Sequence, residues 1–208
     1  MLYGFPGEGK TYFARQLCDH LQAAHVQGDR IRAELFEQPR YDNQENAIIA
    51  QLTSYMTGEF LSAGISVVYD MNAMRSAQRH AMRDMARRLG AEPLVVWFQI
   101  DLESSFARSM KRDRRKADDK YAVPMDRSTF DNIVGHMQNP ASTEEYIVVS
   151  GKHLFSTQLS ATMKRLRELN LIGQDDAVHK VVKPGMVNLV PNPAVGRVDL
   201  TRRNIVIR

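Results

Sequence analysis

The glycine-rich stretch GFPGEGKT at residues 4–11 constrains this chain more than any other part of its sequence. It matches the pattern G-x-x-x-x-G-K-[ST] at every fixed position, and Gly4, Gly7 and Gly9 permit backbone angles that a Cβ atom would block. A loop of this composition can curl so that successive N–H groups point inward and hold phosphate oxygens. The sequence therefore predicts a phosphate-binding loop rather than a glycine-rich turn that binds nothing.

The last two residues of this stretch fit a nucleotide site. Lys10 is placed to reach the outer phosphates as a point charge, and the Thr11 hydroxyl is placed to ligate Mg²⁺. Apolar residues recur at helical spacing over residues 12–24, so a helix opening at Lys10 adds the positive end of its dipole. The residues that we expect to bind the nucleotide are Gly4, Pro6, Gly7, Glu8, Gly9, Lys10, Thr11 and Tyr12.

Length and composition favour a cytoplasmic protein with one main domain. The 208 residues include 28 Lys and Arg against 24 Asp and Glu. The resulting net charge of +4 suits an anionic ligand but is too small to indicate nucleic acid by itself. The single cysteine, Cys18, cannot form an internal disulfide and fits a reducing compartment as a core residue. We expect no signal peptide and no membrane span, because the chain opens on the loop and no apolar run is long enough.

Apolar, β-prone segments alternate with amphipathic helical segments, which predicts a three-layer α/β/α sandwich around a mainly parallel sheet. After a short first strand, the predicted strands cover residues 25–27, 65–69, 93–100 and 146–149, and the later helices cover residues 30–37, 44–62, 76–89, 101–115, 126–137 and 154–169. We place this domain at residues 1–173. Residues 174–208 form a C-terminal extension, which is a hairpin, an oligomer arm or a disordered tail. Its apolar content favours packing on the domain.

Asp29 follows the second predicted strand, at the sheet edge where ligands of open α/β folds collect. We expect it to cap a short helix, with Arg32 three residues on and on the same face. A carboxylate beside an arginine at a phosphate site can accept a proton from an acceptor hydroxyl while the arginine holds the acceptor's charge. The alternative is a helix cap with a surface ion pair, and the phosphate loop favours the functional interpretation.

Asp70 ends the third predicted strand, which is a buried, β-branched run. This position suits an acidic residue that orients Mg²⁺ or contacts the acceptor, and Asn72 follows within reach of the same site. The alternative is a strand-to-loop turn, since Asp and Asn favour turns. Arg75 and Arg79 fit phosphate contacts and surface charges equally well.

Basic residues crowd the segment after the fourth strand and its helix, where Arg108, Lys111, Arg112, Arg114, Arg115 and Lys116 are offset locally by a single aspartate. We interpret about 111–124 as a lid that Pro124 ends, because phosphoryl transfer spreads negative charge that lid arginines stabilise. Arg112 or Arg115 is the expected catalytic arginine. The alternatives are a solvated basic face at a helix C-terminus and a groove for a nucleic-acid backbone.

Taken in order, GFPGEGKT, GDRIRAELF, SVVYDMNAMRSAQRHAM and KRDRRK followed by AVPMD resemble the P-loop kinases related to polynucleotide kinase. These are often labelled AAA-like ATP-binding proteins, and zeta toxins are cousins. The resemblance covers roughly residues 1–169. It implies a nucleoside-monophosphate-kinase-like fold, ATP and Mg²⁺ as cofactors, and transfer of the ATP γ-phosphate to a hydroxyl.

The resemblance also assigns roles. It implies a general base at Asp29, an acceptor-phosphate arginine at Arg32, and the D-x-N pair at Asp70 and Asn72. A lid arginine falls within residues 112–115. Thr11, with Asp70 in support, would hold the metal.

Several features depart from this family. Tyr12 stands where many relatives have Ser or Thr, which removes one potential phosphate contact. The first strand is short, so either the chain begins earlier or the strand is trimmed. No phosphatase or ligase domain is attached, and the tail matches nothing.

The acceptor therefore stays open between a polynucleotide 5′-hydroxyl end and a small hydroxyl-bearing metabolite, such as a nucleotide sugar. An ATP-switched binding module with little turnover is the alternative from another class. A DNA-binding protein would rest on the basic cluster alone.

Overall fold

Strands and helices alternate along residues 1–71, 75–117 and 119–172, the part of the chain that the computed structural model describes. In chain order they are β1 (Leu2–Tyr3), α1 (Lys10–Leu21), β2 (Ala24–Gln27), α2 (Gly28–Leu35), α3 (Asn43–Ser62), β3 (Val67–Asp70), α4 (Ser76–Arg88), β4 (Val95–Gln99), α5 (Leu102–Met110), α6 (Arg127–Gly135), β5 (Tyr146–Ser150) and α7 (Phe155–Glu168). The extension predicted at residues 174–208 and the candidate residue Asn72 lie outside the described residues.

The described strands pair in parallel, in the orders β1-β4-β5 and β2-β3, and β1 also contacts β3. Helices cover both faces of these strands. The predicted three-layer α/β/α sandwich with a parallel sheet is therefore confirmed. Because all the strands run the same way, their carboxyl ends meet at one edge, where a ligand site of this fold class forms.

Strand β1 is only two residues long, yet its backbone is firmly held on β4. Leu2 pairs with Val96 and Tyr3 pairs with Trp97. Met1 extends the pairing, since its terminal ammonium donates to the Leu94 carbonyl and its own carbonyl accepts from the Val96 N–H, both at 2.8 Å. Both strand residues are 1% exposed. The phosphate loop therefore leaves the sheet from a fixed, buried position.

Two apolar clusters lie against the strands. Consecutive strand side chains point to opposite faces, so Val68 packs with α1 in one cluster and Tyr69 packs with α4 in the other. Cys18 lies in the first cluster, as predicted for a core residue, and burial raises the pKa of its thiol to about 12. Within the described residues, no helix combines the length and apolar character that crossing a membrane requires.

Most predicted helix boundaries lie within two residues of the observed ones, and two of the differences affect the site. Helix α5 ends at Met110 instead of continuing into the basic segment, because closely spaced like charges repel within a helix. Helix α2 begins at Gly28 with Gln27 at the N-cap, so Asp29 lies in the first turn and is not the cap. The Asp29 carboxylate therefore does not cap the N-terminus of α2.

Arg79 is completely buried, so both interpretations that the sequence allowed for it are wrong. Its guanidinium donates to the Glu144 carboxylate at 2.8 and 2.9 Å and lies over the Tyr3 ring at 4.9 Å. Arg83 lies beside the pair, with its Nη1 3.8 Å from Glu144. Although burial opposes ionisation, the hydrogen bonds from Arg79 and the Ala141 N–H keep the pKa of Glu144 below its ordinary value. This network fixes α4 to the segment before β5.

Replacing Glu144 by Ala should destabilise the fold by about 3–5 kcal/mol, because it leaves two arginine charges buried without their carboxylate. The free energy of unfolding from urea titration measures this. Glu145→Ala is the matched control, since Glu145 is half-buried and pairs with Arg165 near the surface. It should cost about 1 kcal/mol or less. Equal losses in the two variants would contradict the role given to the buried pair.

Candidate nucleotide-binding site

The loop between β1 and α1 has the curled backbone that phosphate binding needs. The φ angles are +144° at Gly4, +92° at Gly7 and +88° at Gly9. A Cβ on Gly7 would overlap with the Ser105 carbonyl oxygen of α5. The Ser105 hydroxyl also donates to the carbonyl of buried Pro6 at 2.6 Å. Helix α5 therefore fixes the loop from the side, at the two residues in its middle.

Lys10 is the first residue of α1, and its side chain turns back into the loop. Its ammonium donates to the carbonyl oxygens of Gly4 at 2.7 Å and Phe5 at 2.6 Å. Burial lowers the Lys10 pKa to about 8, and nearby carboxylates, including Asp70 and Asp29, oppose that shift. The lysine charge is thus held where the predicted phosphates would lie.

Glu8 was expected among the nucleotide-binding residues, but its side chain turns toward the end of β4. The side chain is 1% exposed, and Oε1 accepts from the Ile100 N–H at 3.0 Å. Oε2 has no hydrogen-bond partner among the described residues. Burial raises the Glu8 pKa to about 7, opposed by Lys10, the N–H groups of Ile100 and Phe5, and Arg108.

Asp29 presents an unpaired carboxylate at the carboxyl edge of the sheet. It is exposed to solvent and makes no hydrogen bond or ion pair with the described residues. Partial desolvation by the surrounding protein, together with the Asp70 carboxylate, raises its pKa. Arg112, Arg32 and Lys10 oppose the rise, which places these cations around it. The structure thus brings Asp29, Lys10 and Arg112 to one site.

Asp70 lies at the end of β3, opposite Gln27 in the register of the two strands. It is buried, and its Oδ2 lies 3.0 Å from Nε2 of His25. The alternation along β2 and the strand register bring His25 to Asp70, and no motif in the sequence indicates that partnership.

The residues predicted to hold Mg²⁺ have suitable donor chemistry. The Thr11 hydroxyl and the Asp70 carboxylate are hard oxygen ligands of the kind that Mg²⁺ prefers. Thr11 is half-buried and donates to no described protein group. No group of three or more His, Cys, Asp or Glu in the described residues could enclose a metal.

Arg32 does not pair with Asp29, although the two were predicted to share a helix face. It is 6% exposed and donates to Glu45 at 2.9 Å and to Asn46 at 2.6 Å, with its guanidinium 4.6 Å from the Tyr41 ring centroid. Its charge is therefore already compensated by a buried carboxylate, and the pair ties α2 to α3.

Glu45 was not identified from the sequence as part of this site. Besides Arg32, its carboxylate accepts from the backbone N–H groups of Arg40 at 2.8 Å and Tyr41 at 2.9 Å. Burial opposes ionisation, but these hydrogen bonds lower the Glu45 pKa. The D-x-x-E spacing from Asp42 indicates a helix start, not these contacts.

The two predicted lid arginines lie in different surroundings. Arg112 is half-buried, makes no hydrogen bond or ion pair with the described residues, and influences the pKa values of both Lys10 and Asp29. Arg115 is exposed and forms a two-point ion pair with Asp113, at 2.9 and 3.0 Å. Of the two, Arg112 is the arginine that the structure places at the site.

Other basic and aromatic residues lie at the margins. Arg108, a member of the basic cluster with no individual role in the sequence prediction, follows the α5–loop contact and donates to the Gly151 carbonyl at 3.0 Å. Tyr12 is exposed, with its ring edge-on to Phe155 at 6.2 Å between centroids. Arg75 is exposed at the start of α4.

A glycine-rich phosphate loop between the first strand and first helix of a parallel α/β/α sandwich defines the P-loop NTPase-like fold. Residues 1–140 match the family described as AAA domain, and the chain belongs to that family. No curated protein matches the chain significantly.

Solved structures share this fold at low sequence identity. A sugar kinase from Janibacter sp. HTCC2649 matches with a TM-score of 0.58 and 17% identity, over 86% of this chain and 96% of the kinase. A gluconokinase from Sinorhizobium meliloti 1021 matches with a TM-score of 0.59 and 14% identity, over 82% and 94%. Kti12 from Chaetomium thermophilum, solved with ADP-AlF3, matches with a TM-score of 0.63 and 15% identity, over 80% and 96%.

The buried Glu8 carboxyl should make stability depend on pH. Its pKa is about 7 in the folded chain against 4.5 ordinarily. The folded state is therefore favoured below the lower value and loses that stabilisation as pH rises through the upper one. Glu8→Gln should consequently melt progressively higher than wild type between about pH 5 and pH 8, by at least about 2 °C at the upper end. A difference in melting temperature that stays constant with pH would contradict this assignment.

Proposed function

We propose that the protein is an ATP-dependent phosphotransferase that moves the γ-phosphate of ATP to an acceptor hydroxyl. The observation that carries the proposal is the unpaired Asp29 carboxylate, which lies near Lys10 and Arg112 at the phosphate loop. A protein that only binds and releases nucleotide needs no free carboxylate at this point. A phosphotransferase needs one to accept the proton of the attacking hydroxyl.

Each charged group has a role in this reaction. Lys10 and the loop N–H groups would hold the β- and γ-phosphates, so Lys10 would exchange its two carbonyl partners for phosphate oxygens. Thr11 and Asp70 would hold Mg²⁺, which when bound offsets phosphate charge and polarises the transferred group. Arg112 would stabilise the charge that develops on the equatorial oxygens.

Asp29 is suited to be the base because its pKa is raised. A carboxylate with a higher pKa takes a proton more readily from an attacking hydroxyl. Its position in the first turn of α2, instead of at the N-cap, leaves both oxygens available. The acceptor hydroxyl would lie between Asp29 and the γ-phosphate.

Two acceptor classes have support. The order of motifs favours a polynucleotide 5′-hydroxyl end, as in the polynucleotide kinase-like group. The pairing of Arg32 with Glu45 favours a small hydroxyl-bearing metabolite, because the arginine has less uncompensated charge to offer an acceptor phosphate. The likeness to a sugar kinase and a gluconokinase supports the second class.

Transfer of radiolabelled γ-phosphate separates the two classes. The panel of acceptors is 5′-hydroxyl oligonucleotides, simple sugars, nucleotide sugars and nucleosides, each with ATP and Mg²⁺. Label on any of them supports the phosphotransferase and identifies the class. Tight ATP binding with no transfer to any acceptor would instead support an ATP-switched binding module.

Lys10→Ala should abolish measurable transfer and weaken ATP binding by at least about tenfold, because it removes a charge-assisted contact to the phosphates. Calorimetric titration with ATP measures the affinity. Lys152→Ala is the control, since Lys152 is exposed and pairs with Asp101. Unchanged ATP affinity in the Lys10 variant would contradict the loop's assignment.

Asp29→Asn should retain ATP affinity but lower the rate of transfer by about 10²–10⁴-fold, because it removes the base and keeps the shape. Glu34→Gln, on the exposed part of the same helix, is the matched control. In wild type the rate should fall with decreasing pH at a pKa above that of an ordinary aspartate. Retained transfer in the Asp29 variant would rule out its role as the base.

A further inference from the structure

The Glu8 carboxyl is buried under the phosphate loop with an incomplete set of partners. Oε1 has one hydrogen bond, from the Ile100 N–H at 3.0 Å, and Oε2 has none among the described residues. A buried carboxylate usually accepts several hydrogen bonds or a direct ion pair, because desolvating the charge is costly. Besides the N–H groups of Ile100 and Phe5, the ionised form of Glu8 therefore depends on charges that act from a distance.

Three titratable or charged groups face Glu8 from the surrounding elements. Lys10 on α1 and Arg108 on α5 favour the ionised carboxylate, and Tyr3 at the end of β1 has its own pKa raised partly by Glu8. Arg108 is exposed and bonded to the Gly151 carbonyl, so solvent screens it. The enclosed ammonium of Lys10 is the stronger of the two cations. Glu8 thus depends chiefly on the same lysine that the phosphates of a nucleotide would engage.

The position of the carboxyl couples it to the loop backbone. A Cβ on Gly4 would overlap with Glu8 Oε2, so this carboxyl oxygen occupies the space that the glycine leaves open. On the other side, a Cβ on Gly151 would come within 2.8 Å of the Glu8 carbonyl oxygen. The chain at Glu8 is therefore enclosed between the start of the loop and the turn after β5, where solvent cannot compensate for a change of charge.

We propose that Glu8 is a proton-linked anchor of the phosphate loop, and that a nucleotide binding to the loop draws a proton from solvent onto the Glu8 carboxyl. The bound phosphates add negative charge beside the loop and engage Lys10, and both changes disfavour a buried carboxylate. The proton forms an O–H bond at Glu8, while Oε1 keeps its hydrogen bond from the Ile100 N–H at the end of β4. The inference rests on nucleotide binding at the loop but not on the acceptor or on transfer.

Proton uptake has a defined consequence for affinity. Because the complex binds more protons than the free protein, nucleotide binding is favoured at low pH and weakens as pH rises. Affinity for Mg²⁺–ADP should fall on the order of tenfold between about pH 6.5 and pH 8.5. Glu8→Gln carries a neutral, hydrogen-bonding side chain at every pH, so its affinity should change much less over this range.

Isothermal titration calorimetry with Mg²⁺–ADP, in buffers of different ionisation enthalpy, counts the protons directly. Wild type should take up on the order of half a proton per nucleotide near pH 7, where free Glu8 is about half protonated. The uptake should disappear in Glu8→Gln. It should persist in Asp29→Asn, which removes a second carboxyl from the site and leaves Glu8 in place. It should also persist in Glu59→Gln, which removes one exposed charge from α3.

Several results would overturn the inference. Tight binding with no proton uptake in wild type would do so while leaving the nucleotide site intact. Uptake that persists in Glu8→Gln and vanishes in Asp29→Asn would assign the proton to Asp29. Circular dichroism shows whether Glu8→Gln folds. If it does not, the pH dependence of proton uptake in wild type decides which group takes up the proton. Uptake that continues to rise above about pH 8.5 identifies Lys10 as the group, and a maximum between about pH 7 and pH 8 supports Glu8. Absence of any Mg²⁺–ADP binding would overturn the nucleotide site and this inference together.

Discussion

The backbone pairing of β1 with β4 is the interaction on which the rest of this structure depends. Two residues form a stable central strand because Met1 adds two hydrogen bonds to β4 and the neighbouring strand β3 covers the other side. The loop then begins at Gly4 from a fixed point, is held in its middle by Ser105 of α5, and is anchored from below through Glu8. Three separate contacts, two at β4 and its end and one on α5, therefore set the shape of one eight-residue segment.

The charges around this loop fall into compensated and uncompensated groups. Arg32 is neutralised by Glu45, Asp70 is held by His25, and Arg115 is held by Asp113. Among the described site residues, Lys10 and Glu8 are bonded only to backbone groups, whereas Asp29 and Arg112 make neither a hydrogen bond nor an ion pair. Since compensated charges mainly hold the scaffold, the two unpaired groups of opposite sign are the ones left for chemistry. This distinction supports the proposed roles more strongly than the residue types alone.

The sequence predicted the features that depend on local rules. The loop follows from its fixed positions, the sandwich from alternating patterns, and Cys18 from its place on an apolar helix face. Contacts between distant residues could not be predicted. The direction of the Glu8 side chain depends on Ile100, 92 positions away, and the burial of Arg79 depends on Glu144, 65 positions away. The predicted α5 is too long, because like charges repel one another in the basic segment that follows Met110.

The contact between α5 and the loop separates the part of the chain that would bind ATP, the phosphate donor, from the segment that follows α5. Because Ser105 bonds to Pro6 and contacts Gly7, α5 is fixed to the phosphate loop and is part of the ATP-binding portion of the chain. The chain leaves this contact where α5 ends at Met110, and Arg112 follows shortly after. Residues beyond Arg112 can therefore differ among family members without removing either the loop contact or this arginine. The preference for an acceptor can then differ among relatives while the structure of the phosphate loop stays the same.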